Sequence, residues 1–278
     1  AGQTISIPGG NYGSMTYLEF YVSGVNNVTF EFSDSASVNG TLWLLATNAS
    51  TGTTLDINDH DLTASGILFA HASTTGAYAV NFGSGAIDIG TTGITVNSDA
   101  GAHQLNLETA TISCAGQWRM GNGSGSIAVD PGTSTVTIDG TSAITSNSQP
   151  FHNLYVGSAS AGASVAPADD LTVEADLLIY NGGATTLDIS DDTLFVAGDL
   201  NLTNLDTFTV ADSTVTLNGA SAQAVTSSSK TYNALTVTNT AGVTFTDAFT
   251  TADFTAVTAD AHLYFENGTT YTITGTLD

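Results

Sequence analysis

Apolar and polar residues alternate with a period of two along most of the chain. Thr135-Val136-Thr137-Ile138 and Thr214-Val215-Thr216-Leu217 carry the pattern openly. So do Leu55-Asp56-Ile57, Leu187-Asp188-Ile189, Ala234-Leu235-Thr236-Val237 and Tyr271-Thr272-Ile273-Thr274. Alternation of this kind sends successive side chains to opposite faces of a strand, one set to a core and one to water. The strands recur about every 10 residues and are separated by turn dipeptides, at Asn39-Gly40, Asp139-Gly140, Asn218-Gly219 and Asn267-Gly268. Lys, Arg, Glu and Gln, which favour helices, are scarce where Thr and Ser are abundant. The pattern predicts an all-β protein.

A second periodicity lies above the first. Ala115-Gly116 leads to Ser134-Thr135-Val136-Thr137-Ile138-Asp139-Gly140. Ala197-Gly198 leads in the same way to Ser213-Thr214-Val215-Thr216-Leu217-Asn218-Gly219. An aromatic-x-x-Leu-x-Val element follows each, Phe151 to Val156 and then Tyr232 to Val237. Tyr17 to Val22 opens a weaker copy, and Thr54-Leu55-Asp56-Ile57 recurs as Thr186-Leu187-Asp188-Ile189. Residues 83–114 fit this scheme least well. Short strands in a repeat of about 80 residues predict a β-solenoid, or β-helix-like stack, in which several coils make one sequence period. One or more β-sandwiches are the alternative. The repeat divides the chain into a β region over 1–114 and two repeats, 115–196 and 197–278, which also suit one continuous domain.

These segments resemble the β-strand repeat modules of secreted bacterial and archaeal surface proteins and adhesins, in which an Ala/Gly-Gly-x-Trp element, a TSTVTFDG-like strand and an FYNLTI-like strand follow one another. The resemblance covers mainly residues 115–278, with an echo at 17–66. It implies a role as stalk, wall or spacer.

Charge narrows the partners. Two basic residues, Arg119 and Lys230, face 26 carboxylates, for a net charge of −24 over 278 residues. Neither nucleic acid nor an anionic membrane surface finds the cationic footprint it needs. No apolar run approaches the roughly 18 residues of a membrane-spanning helix. Hydroxyl residues are 73 of the 278, 46 Thr and 27 Ser. With so few tryptic sites, this composition points to an extracellular or cell-surface protein, with Ala1-Gly2-Gln3 suiting a mature start after signal-peptide removal. A high-salt habitat would also explain the excess of carboxylates.

Candidate chemistry is sparse. Asp56, Asn58, Asp59 and Asp61 supply hard oxygen ligands close together in the chain, and Asp188, Asp191 and Asp192 echo them, so calcium is the metal to expect. The pairs Asp169-Asp170 and Asp191-Asp192 also suit acid/base hydrolysis of polysaccharides. The Gly-His-Gly and Arg-x-Lys signatures of the pectin-hydrolysing family are missing. His60, His71, His103, His152 and His262 have no zinc spacing. Cys114, the single cysteine, is either a small buried hydrophobe or the half of an intermolecular disulfide. Sequons at Asn27, Asn39, Asn48, Asn122, Asn201 and Asn267 match chance frequency and leave glycosylation open. Trp43 and Trp118 read as core; exposed instead, they would form glycan platforms with Tyr12, Tyr17 and Tyr21.

Strands at both ends, Thr4-Ile5-Ser6-Ile7 and Tyr271-Thr272-Ile273-Thr274, have no Lys gatekeeper and no amphipathic cap. They predict a non-catalytic extracellular subunit that polymerises with itself through strand edges into a layer, sheath or filament. An adhesin or viral fibre module that binds glycans or a host surface is the alternative, and a polysaccharide-degrading enzyme the third.

Overall fold

The computed structural model describes residues 3–13, 15–22, 27–46, 52–69, 77–96, 102–121, 126–257 and 261–278. Among them there is no helix. Short strands pair in parallel and wind as a β-solenoid of about ten turns, which excludes the antiparallel sandwich. The chain forms two compact units, Ala1–Val136 with Thr145–Gln149, and Thr137–Ile144 with Pro150–Asp278.

In the first unit, the strands Gln3–Ile7, Val28–Phe32, Gly52–Asp56, Ala77–Asn81, Ala102–Asn106 and Ser126–Asp130 make one sheet in that order. Their register stacks Ile5, Phe30, Leu55, Val80, Leu105 and Val129 into a single column. Leu55, Val80 and Leu105 are wholly buried. Each of four strands leads into a corner residue, Phe32 at its end or Ile57, Phe82 or Leu107 just after it, evenly spaced along the chain and all buried. One coil therefore runs from one corner to the next, about 25 residues, a length ordinary for stacked repeats. A second set of stacked strands, Gly10–Asn11, Ala36–Ala46, Leu62–Phe69 and Ala86–Val96, carries the chain round the next faces. Its long strands bend where the register slips, between Val38 and Thr41 and again between Ala64 and Gly66. Asn39-Gly40 therefore lies inside a strand rather than in a turn. Gly93 sits at this bend with φ +76°, and a Cβ there would fall 2.1 Å from the Gln117 carbonyl oxygen, so only glycine fits.

In the second unit one column runs Leu154, Leu177, Leu200, Val225, Phe245 and Phe265. Another runs Leu171, Leu194, Val215, Leu235, Phe254 and Leu277. Coils in the second column tighten and then open again: the steps from Leu171 through Leu194, Val215 and Leu235 to Phe254 shorten in turn, and the step from Phe254 to Leu277 is as long as the first. Both columns belong to a core of apolar side chains, and Thr and Ser line much of the outward face, where Thr serves strand geometry without adding a large apolar surface. The long sequence repeat is a repeat of strands and not of coil positions. Leu154 and its counterpart Leu235 stand in different columns, although each is fully buried.

Candidate functional site

The acidic clusters resolve first into turn chemistry. Asp56 Oδ1 accepts from the Asn58 amide at 2.9 Å and Asp188 Oδ1 from the Ser190 amide at 3.1 Å. Asp130 with Gly132 and Asn201 with Thr203 repeat that arrangement. These are Asx turns, which let the chain round a corner beside a buried residue such as Ile57 or Ile189. Asn58, Asp59 and Asp191 take positive φ there, as Asn and Asp tolerate.

Other carboxylates fasten one coil to the next. Asp59 Oδ1 accepts from the Ser84 amide at 2.8 Å and Asp61 Oδ1 from the Ala86 amide at 2.9 Å. In the second unit three such links follow one another up a single outward column. Asn153 accepts from the Asp176 amide, Asp176 from the Asp199 amide, and Asp199 from the Ala224 amide, at 3.1, 2.8 and 2.7 Å. Asp170 with Thr193 and Asp253 with Thr276 do the same elsewhere. Asn153 makes its link with an amide oxygen, so the link needs an acceptor and not a charge. Asp176→Asn is therefore expected to keep the melting temperature within a degree or two, whereas Asp176→Ala leaves the Asp199 amide unpaired and costs about 1–3 kcal/mol in urea unfolding.

These carboxylates are not gathered round a point. Among the described residues no group of three or more His, Cys, Asp or Glu is placed to hold a metal ion. Asp188, Asp191 and Asp192 do approach Asp169 and Asp170 closely enough to matter electrostatically. Partial burial, and then the fields of Asp170, Asp169, Asp191 and Asp188, hold the Asp192 carboxyl above the usual range. The folded state then binds the Asp192 proton more readily than the unfolded state does. The contribution of this group to stability falls as pH rises from the ordinary aspartate range through that raised value. Asp192→Asn should flatten this part of the profile and raise the urea midpoint at pH 7 more than at pH 3; equal midpoint changes at both would contradict the assignment.

The two ends carry the other notable surface. Ile5, Met15, Tyr17 and Tyr21 are exposed on the first coil, and Val257, Tyr264, Phe265 and Leu277 toward the last; no other large hydrophobic side chain is exposed among the described residues. Three of them are terminal members of the core columns. Ile5 begins the column of Leu55 and Val80 at 37% exposure; Phe265 and Leu277 end two columns at 46% and 67%. Behind Phe265 the ring of Phe245 stacks at 5.2 Å and 13°, with Phe249 and Tyr271 against it. Phe254, Leu263, Phe265, Tyr271, Ile273 and Leu277 surround an apolar recess of about 330 Å³.

The end strands are paired on one side. Gln3–Ile7, which contains Thr4, Ile5, Ser6 and Ile7, pairs with Val28–Phe32 and stands at the edge of its sheet. Thr272–Ile273 pairs with Thr250–Thr251 and likewise stands at an edge. Tyr271 and Thr274 lie just outside that strand. The Tyr271 hydroxyl donates to the Phe245 carbonyl at 3.0 Å, and the Thr274 amide donates to the Thr251 carbonyl at 3.0 Å.

The remaining candidates scatter. Cys114 is wholly buried, its Sγ 3.5 Å from the Gly116 carbonyl oxygen, so a bond to another molecule requires the coil to open. Trp118 is core at 2% exposure, but Trp43 is not: it is half-buried on the outward face and stacks on Tyr17 at 4.9 Å and 19°. Alternation in Leu42-Trp43-Leu44 points Leu42 and Leu44 inward, which sends Trp43 out. His103 is buried and packs on Tyr78. Asn27, Asn39 and Asn267 are exposed, whereas the Asn201 oxygen is held by Thr203; Asn48, Asn122 and His71 lie outside the described residues.

No protein-family model matches the chain, and neither do curated proteins or solved structures.

Proposed function

We propose that this protein is a non-catalytic extracellular structural element that assembles with copies of itself through the strand edges of its end coils. The observation that carries the reading is the fate of the core columns. Ile5, Phe265 and Leu277 belong to core columns, yet in the outermost described coils they stand exposed. Large apolar patches on a surface mark contact sites, and open strand edges template further pairing. Joining unlike ends keeps strands parallel across the junction, whereas joining like ends about a twofold axis makes them antiparallel. The contact is therefore heterologous, which builds open polymers unless it closes into a ring.

The carboxylates fit such a part. They turn corners and tie coil to coil, and the net charge of −24 keeps assembled surfaces hydrated and apart from one another. Divalent cations, calcium among them, act here as counter-ions that lower that repulsion. Composition supports secretion and a place at the cell surface, since Thr, Ser and Asp stand where lysines would offer sites to proteases.

Sedimentation velocity of the purified chain tests the reading. Species larger than the 28.2 kDa monomer should grow with concentration and with added calcium or salt. A single monomeric boundary over about 1–100 µM, salt or no salt, would refute it.

A further inference from the structure

A separate observation concerns the bend in the first unit. There the outward side chains of consecutive coils form two polar columns. Asn11, Ser37, Thr63 and Asp88 stand in register, and Asn39 and Ser65 run beside them. Where the long strands bulge between these columns and the next face there is a groove of about 350 Å³, lined by those six residues together with Gly13, Val38, Ala64 and Gly90. That size lies within the usual range for ligand sites, about 300–1,000 Å³. Its polar groups are hydroxyls and amides with one carboxylate, set among short apolar and glycine positions. Ser65 Oγ donates to the Asn39 carbonyl at 2.9 Å and Ser113 Oγ to Asp88 Oδ1 at 3.1 Å, so the lining is fixed in place.

An aromatic platform belongs to the same strand. Trp43 is outward, four positions beyond Asn39 and so at most about 13 Å along the chain. Tyr17, from the preceding coil, lies flat against it and is 49% exposed. An aromatic stack with Tyr17 exposed and Trp43 half-buried, a few residues along the strand from a line of hydroxyl, amide and carboxylate groups, matches the two sides of a sugar. The ring's C–H face packs on the aromatic plane, and its hydroxyls exchange hydrogen bonds with the polar walls.

We infer that this groove binds a neutral polysaccharide chain, laid across successive coils with a sugar ring against Tyr17 and Trp43. The charge decides against acidic sugars. The groove holds Asp88 and no cation, on a chain of net charge −24, so uronates and sulfated glycans are repelled.

Affinity electrophoresis of the full chain in gels containing barley β-glucan, hydroxyethyl cellulose, galactomannan or dextran tests the inference, with polygalacturonate as the acidic contrast. At least one neutral polymer should retard the protein, and the same polymer should shift tryptophan emission, since Trp43 is the more accessible of the two tryptophans. Tyr17→Ala removes the platform and Thr63→Arg fills the groove. Each should weaken binding about tenfold or more with the circular dichroism spectrum unchanged. Retardation by none of the four neutral polymers, equal retardation by polygalacturonate, or full binding by both variants would each overturn it. Oligomeric state is read separately by sedimentation, so failure here leaves the assembly reading standing.

Discussion

Replacing Phe265 and Leu277 together by aspartate is expected to abolish self-association while leaving the chain folded. Leu277 is largely exposed at 67%, while Phe265, at 46%, gives up its stacking on Phe245, so the folded monomer loses part of one aromatic contact and stays folded. In a junction between copies each would lie in a closed core column, with a neighbour above as well as below. A carboxylate buried there without a partner costs several kcal/mol, far more than a strand-edge contact supplies. The large species should disappear from sedimentation profiles, with the circular dichroism spectrum of the parent chain and a urea midpoint lowered only modestly. Persistence of the assemblies would place the contact elsewhere. Charge alone does not account for the loss if Glu266→Gln, which neutralises a neighbouring exposed carboxylate, leaves assembly intact.

The second large effect lies one coil inward. Phe245 is wholly buried and its ring meets Phe249 at 4.9 Å, Phe265 at 5.2 Å and Phe254 at 6.0 Å. Truncation to alanine empties the centre of this cluster, and removal of a buried phenylalanine typically costs about 3–5 kcal/mol. A stack of coils gains stability chiefly from nearest neighbours, so the damage should stay local. Hydrogen exchange ought to accelerate over residues 243–278 and remain near the parent rate over 77–121. Uniform acceleration would mean that the two regions unfold as one.

Much of the fold is legible in the sequence because alternation alone fixes which side chains enter a core. Leu55, Val136, Leu187 and Leu235 are all buried, as their strands predict. The coil length is harder to read. Glu31, Asp56, Asn81 and Asn106 mark the same strand position in successive coils, each followed by a large apolar corner residue. The signal is a pattern of residue classes and not of identities, so it is hidden behind the more literal, more widely spaced Ser-Thr-Val-Thr copies. That is why residues 83–114, irregular in the longer scheme, are regular in the shorter one.

The candidate chemistry is less legible, for a definable reason. Asp, Asn and Ser are the residues that suit an Asx turn, a positive φ and an oxygen ligand alike, so Asp56 to Asp61 reads equally as corner or calcium loop. Only the partners separate the two, and Asp59 and Asp61 point at amides of the next coil. Trp43 misleads for the opposite reason: its strand is apolar on both faces, and hydrophobicity without alternation does not say which side is out. The polar groove has no sequence signature at all, because Asn11, Ser37, Thr63 and Asp88 are brought together by register alone.

Amide hydrogen exchange measured against protein concentration tests the central claim most directly. If end coils pair between molecules, the outer amides of residues 3–7, 263–265 and 272–273 should gain protection as concentration rises, while residues 171–217 keep the rates of the dilute chain. Identical exchange at the ends in dilute and concentrated solution would contradict it.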